Sequence, residues 1–287
     1  MGTVKLTKSG ENFIRNKCNG SGNSKLRGNA GDKNGYSNNP TAVLPYCSPL
    51  TTTSKLWISN PDINGGITTN AQLGEALIKW YNKYAEIYQM DANVLAAQAY
   101  QESAYIIWNY AVNSTASGIS QFVASAVYSV ISSNKYGGFS TVERQVISKN
   151  MIGYTYSSGI PPKDPFLVDY ELGRKNRAIL HQNIIDNPEI MIKAQFEYMN
   201  FIATRCDNLA SCTLFGYSRG PYLLEAPSSS YSSWINAAKS KGNSYENEGI
   251  NYVYRIFSNL YQNFDYKQLD MTKEAAQKFD KFNATLA

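Results

Sequence analysis

Residues Gln98–Phe122 read QAYQESAYIIWNYAVNSTASGISQF, and the reading of their one acid, Glu102, decides between fold assignments. Glu102 closes a predicted helix and is followed at once by Ser103. From Ser103 through Val142 the chain carries no Asp, Glu or His, and Tyr105, Ile106, Ile107, Trp108 and Tyr110 come directly after the acid. Ionised carboxylates avoid such surroundings, because loss of water disfavours the charged form. An acid that keeps its proton near neutral pH can pass it to a leaving oxygen, the step that breaks a glycosidic bond. Composition alone favours the plainer alternative, a surface Glu in a helix's last turn.

Working outward, the helical signal begins after Gly65-Gly66. Thr68, Thr69 and Asn70 are N-cap candidates. Leu73, Ala76, Leu77, Trp80, Tyr81, Tyr84 and Tyr88 then mark one apolar helix face. Asp91 caps a second helix over 92–103, on which Leu95, Gln98, Ala99 and Glu102 share a side. NSTASG at 113–118 is turn chemistry, and 119–131 reads as another helix. Residues 132–186 carry Gly and Pro punctuation and read as a loop-rich insertion with a helical stretch around 170–185. From Asn187-Pro188-Glu189 a strong helix starts, with Pro188 at its first turn. SCTLFGYSRGPYLLE reads as a tight loop marked by Gly216, Gly220 and Pro221. INYVYRIFSNLYQNF at 250–264 is amphipathic, and the charged tail 265–287 offers Phe279 and Phe282 as anchors.

The chain is thus mainly α, with an irregular arm at 1–66, a body at 67–264 containing the insertion 132–186, and a helical tail at 265–287. The arm's CNGSGNSKLRGNAGDKNGYSNNP has no helix or strand period. A Gly/Asn-rich stretch gains order by packing on the body, through a Cys18–Cys47 staple, or against a neighbouring chain, the last implying a larger assembly. Cys206 and Cys212 form the other local pair; buried free thiols are the alternative for both. The single histidine, His181, cannot complete a zinc set, and no metal or cofactor is expected. His181 has no nucleophile or acid at motif spacing and reads as structural.

At 287 residues the chain can bury a large core. The net charge of +5 comes without a dense Lys/Arg run, which argues against a nucleic-acid partner. No stretch approaches the ~20 apolar residues of a membrane span. MGTVKLTKSGENF lacks the apolar core of a secretory signal. Tyrosine is used 22 times, and rings with a polar tip suit sugar surfaces as well as cores.

Several stretches together resemble the soluble lytic transglycosylases. Glu102-Ser103 followed by Ala116-Ser117-Gly118-Ile119-Ser120-Gln121 is similar to the family's catalytic Glu-Ser and its Gly-Leu-Met-Gln motif. Asn187-Pro188-Glu189 with Ile192 and Tyr198-Met199 is similar to its next helix. Phe215-Gly216-Tyr217-Ser218-Arg219-Gly220-Pro221 is similar to its Ala-Tyr-Asn-Ala-Gly-Pro loop, and 248–256 to its final Glu-Thr-x-x-Tyr-Val helix. Four such stretches in order across 70–262 outweigh the plainer reading of Glu102. Ile119-Ser120, Met191, Gln195 and Ser218 depart from the family pattern, and they bear on substrate contacts more than on the acid.

The resemblance implies a lysozyme-like α domain whose cleft holds a peptidoglycan glycan strand and cleaves the MurNAc–GlcNAc β-1,4 bond. Glu102 would be the catalytic acid and base. Ser103, Gly118, Gln121, Tyr217, Ser218 and Tyr252 would contact substrate or hold the acid, and Trp108 and Tyr110 are candidates for stacking on sugars. A hydrolase normally has a second carboxylate, and none follows Glu102 before Glu143. A lysozyme-type muramidase or endolysin, and a non-catalytic hub of an injection apparatus, are the competing readings. Composition and arm point to a bacteriophage virion, at tail or baseplate, or to release into the periplasm and cell wall, with other virion or secretion-system chains contacting residues 1–66.

Overall fold

A computed structural model describes residues 4–19, 23–25, 43–45, 47, 67, 69–107, 109, 116–151, 170–220 and 245–266, with the backbone alone at 23–25, 43–45, 170–174 and 245–247. The proposed tail helix with Phe279 and Phe282, Trp108, Tyr110, Pro221 and much of the arm and insertion lie outside these residues. The described chain is mainly helical. Its helices are α1 (Lys8–Asn19), α2 (Asn70–Tyr88), α3 (Ala92–Ser103), α4 (Ala124–Val127, continuing as a π-turn over Tyr128–Ser132), α5 (Thr141–Ser148), α6 (Tyr170–Asp186), α7 (Pro188–Arg205), α8 (Ala210–Arg219) and, after a π-turn at Tyr245–Ile250, α9 (Asn251–Asn263). Strands β1 (Asn23–Lys25) and β2 (Val43–Pro45) pair antiparallel, Ser24 opposite Leu44.

The chain divides into two compact units. One comprises Met1–Ile14, Ile78–Gln101 and Phe196–Ala287; the other comprises Arg15–Leu77 and Glu102–Gln195. In the first, Phe196 packs among Tyr81, Tyr84 and Tyr88, with ring centroids 6.0 to 6.1 Å apart. The chain before α1 is stitched to the α2–α3 junction. Val4 N–H donates to the Met90 carbonyl and Ala92 N–H to the Val4 carbonyl, while Leu6 N–H reaches Asn82 Oδ1. Thr7 opens α1 by accepting from Gly10 N–H, and Phe13 then meets the rings of Tyr100 and Phe264. Val253, Ile256, Phe257 and Leu260 form the buried stripe of α9.

In the second unit α2 starts on a reciprocal cap, since Gln72 N–H donates to Thr69 Oγ1 and Thr69 N–H to Gln72 Oε1. Ser140 and Glu143 form the corresponding box on α5. Lys193 Nζ lies 2.7 Å from Glu143 Oε1, and Asn183 Nδ2 donates to the carbonyls of Ile147 and Lys149. Both disulfides expected as one alternative are formed, Cys18–Cys47 in this unit and Cys206–Cys212 in the other.

Three readings of local structure are corrected. Residues 1–66 are not irregular throughout: α1 buries Phe13, Ile14 and Cys18 on one face, and β1–β2 form a ribbon. The helix expected from 119 begins at Ala124, because Gly118 (φ +77) and Gln121 (φ +51) bend the chain into a turn closed by the Ser117–Phe122 bridge. The segment 210–219 is helical, so Gly216, Tyr217 and Ser218 sit on α8, and only Gly220 (φ +98) leaves it. No described helix is long and apolar enough to cross a membrane.

Candidate active site

Glu102 occupies the last turn of α3. Gln98 and Leu95, one and two turns earlier, and Ala99 beside them are fully buried, so the shared side of the helix faces the interior, and Glu102 at its end is half-buried. Directly after it, Ala104 (φ +53) and Tyr105 (φ +61) take the left-handed conformation. That conformation costs roughly 1–2 kcal/mol per non-glycine residue, so the neighbours must hold it. Ile106 N–H donates back to the Ser103 carbonyl, Cys47 N–H donates to the Ala104 carbonyl at 3.2 Å, and Tyr105, Ile106 and Ile107 are buried completely.

Ser103 is buried, and its Oγ donates to the Ile119 carbonyl at 2.8 Å. This bond fastens the Glu102-bearing helix end to the 117–122 turn, sixteen residues away. Inside the turn, Ser117 N–H donates to the Phe122 carbonyl and Gly118 N–H to that of Asn109. Gln121 is half-buried, and its Nε2 donates to the carbonyls of Gly118 (2.8 Å) and Asn109 (3.2 Å). Gly118 is required twice over: its φ is positive, and a Cβ there would lie 2.6 Å from Ile184 Cγ2. Glu102, Ser103, Gly118 and Gln121 therefore belong to one hydrogen-bonded assembly of helix end and turn.

The remaining predicted residues lie in the other unit. Tyr217 and Ser218 are half-buried on α8, and the Tyr217 ring rests against Tyr198 at 5.7 Å. Tyr252 opens α9, and its hydroxyl accepts from Gln98 Nε2 at 3.0 Å. Arg219 pairs with Glu248, joining α8 to the π-turn before α9. Gly249 fits beneath Phe215, whose ring a Cβ would approach to 2.5 Å.

The sequence did not show Asn109, the backbone bond of Cys47 to Ala104 or the Ala104–Tyr105 kink. Asn109 and Cys47 act through backbone groups, which no side-chain pattern announces. Gln98 left a usable trace, its place on the same side of the helix as Glu102.

Other titratable groups are committed elsewhere. Burial pushes the Glu143 carboxyl up, but hydrogen bonds from Lys193 and Ser140 and the Lys193 charge bring it below its ordinary value. Asp186 is raised by burial while accepting from Gln182 Nε2. His181 is buried, and desolvation lowers it to about 3, so it stays neutral at physiological pH. Among the described residues no cluster of His, Cys, Asp and Glu could hold a metal ion. No protein-family model, curated protein or solved structure matches the chain.

Proposed function

We propose that this chain is a peptidoglycan lytic transglycosylase with a lysozyme-like α domain, and that Glu102 is its single catalytic acid and base. The observation that carries the reading is the Ser103–Ile119 hydrogen bond, which ties the Glu-Ser pair to the Gly118–Gln121 turn. Those are the two sequence elements that the reaction needs together. Glu102 stands at the C-terminal end of α3, just before the buried run Tyr105–Ile107. In the proposed reaction Glu102 gives its proton to the bridging O4, and the C1–O4 bond breaks. The sugar's N-acetyl group stabilises the developing cation. The C6 hydroxyl then attacks C1 and returns its proton to Glu102, leaving a 1,6-anhydro end with no water consumed.

Gln121, with the backbone at Gly118, would line the glycan cleft beside Glu102. Ser103 positions the helix end rather than the glycan, because its hydroxyl is directed to a carbonyl in the interior. In this second unit Glu143 is held by Lys193 and Ser140, an engagement that argues against its service as a hydrolase's second carboxylate. Both cysteine pairs are bonded, which fits work on the oxidising side of a membrane or on a virion surface. The reading accordingly places the protein at a bacterial cell wall, in a phage tail or baseplate or released into the periplasm, with residues 1–66 meeting other chains. The test is digestion of purified walls with mass spectrometry of the fragments: anhydro ends support the reading, and only hydrated ends convert it to a muramidase.

A further inference from the structure

The exit of α3 is held from a direction that the proposed chemistry does not use. Cys47 is fully buried, itself left-handed (φ +56), and its N–H reaches the carbonyl of Ala104, two residues after Glu102. Its side chain is bonded to Cys18, buried in the second half of α1. Two residues of strained backbone follow Ser103, and strain of this kind persists only where surrounding structure imposes it. Ser103 holds one side of the kink through Ile119, and Cys47 holds the other.

We propose that the Cys18–Cys47 disulfide is a positioning clamp for the active site: it holds the Cys47 backbone against the Ala104 carbonyl and so fixes the orientation of the Glu102 carboxyl. The disulfide touches no substrate. It acts through the backbone, and it gives the N-terminal segment a part in turnover beyond stability. The inference rests on the reading of Glu102 as the catalytic acid, but the geometry of the clamp can be measured without activity.

Amide hydrogen exchange of the intact protein comes first. One opening event should govern Cys47 and Ile106, so their amides should show matching protection factors once intrinsic rates are divided out; free exchange of Cys47 beside a protected Ile106 overturns the clamp. Next, Cys18→Ala/Cys47→Ala is compared with Cys206→Ala/Cys212→Ala, which opens the disulfide of the other unit. At a temperature where both variants remain folded, the first should speed exchange at 104–107 and 117–122 by roughly tenfold or more, and the second should leave these amides as they were. On cell walls the first should lower kcat by about 10–100-fold with KM little changed, as displacement of a catalytic group does. Equal effects of the two variants, or no local change in the first, overturn the proposal. Faster local exchange in a protein whose wild type releases no fragments would keep the clamp and reject the transglycosylase reading. If the first variant fails to fold, the Cys47 and Ile106 rates in the intact protein decide.

Discussion

Single residues at the centre of the chain have no slack. Gly118→Ala would place a methyl 2.6 Å from Ile184 and hold a side-chain-bearing residue at φ +77, so a loss of about 2–4 kcal/mol is expected in urea unfolding. Ser103→Ala would leave the buried Ile119 carbonyl without its donor, at about 1–3 kcal/mol. Asp91 gives a test with a definite sign. Burial raises its carboxyl to about 6, against hydrogen bonds from Asn93 and Val94 that lower it. The folded chain thus holds a proton that the unfolded chain releases, so this stabilisation is complete below about pH 4 and lost as pH rises through about 6. Asp91→Asn keeps a good N-cap and removes the loss. The variant should therefore gain on wild type by about 2 kcal/mol between pH 4 and pH 7 in urea titrations; a constant gap would contradict the burial. His181, lowered to about 3, contributes stability that fades on acidification below about 6.5, but it is common to both proteins and drops out of the difference. Of these residues, Asp91 and Gly118 were legible in the sequence, one as a helix cap and the other in turn chemistry. The Gln98–Tyr252 hydrogen bond spans 154 positions, a pairing that no local pattern encodes.

At the scale of elements, helical period and capping chemistry did most of the work. Leu73 to Tyr88 form one helix, Asp91 opens the next through Asn93 N–H, and Pro188 starts α7. Reading failed where a tertiary contact overrides the local signal. Phe13, Ile14 and Cys18 are too few apolar positions to announce α1 beside its charged residues, and the helix depends on Phe264, Tyr100 and the disulfide. The glycines at 216 and 220 read as a loop, yet Gly216 lies inside α8, whose face is buried from Ala210 to Gly216 and whose start is tied by Cys206–Cys212. The α5 terminus supplies a prediction at this scale. Glu143→Gln keeps a cap acceptor but removes the charge facing Lys193. Because the Glu143 pKa is lowered on folding, its contribution is present at neutral pH and fades on acidification. The pair is partly solvated, so the variant should lose about 1 kcal/mol or less at pH 7, with no deficit at low pH. A deficit independent of pH would assign the effect to packing.

The whole molecule is mainly α, and that much was legible from hydrophobic period and the scarcity of strand patterns. Its division into two units was not, since the boundaries fall within α1, α2, α3 and α7, where the helical pattern runs on without a break. The Cys18–Cys47 bond closes a loop of 29 residues, for which the chain-entropy account gives about 3–4 kcal/mol. Its removal should appear as a lower unfolding midpoint under non-reducing conditions. Wild type and Glu102→Gln, first matched for melting temperature, are incubated with purified peptidoglycan, and the released fragments are weighed by mass spectrometry. Wild type should release 1,6-anhydro fragments, and the variant should release them at a rate lower by about 10²–10⁴. Undiminished release by Glu102→Gln, or products that have all taken up a water, would contradict the transglycosylase reading.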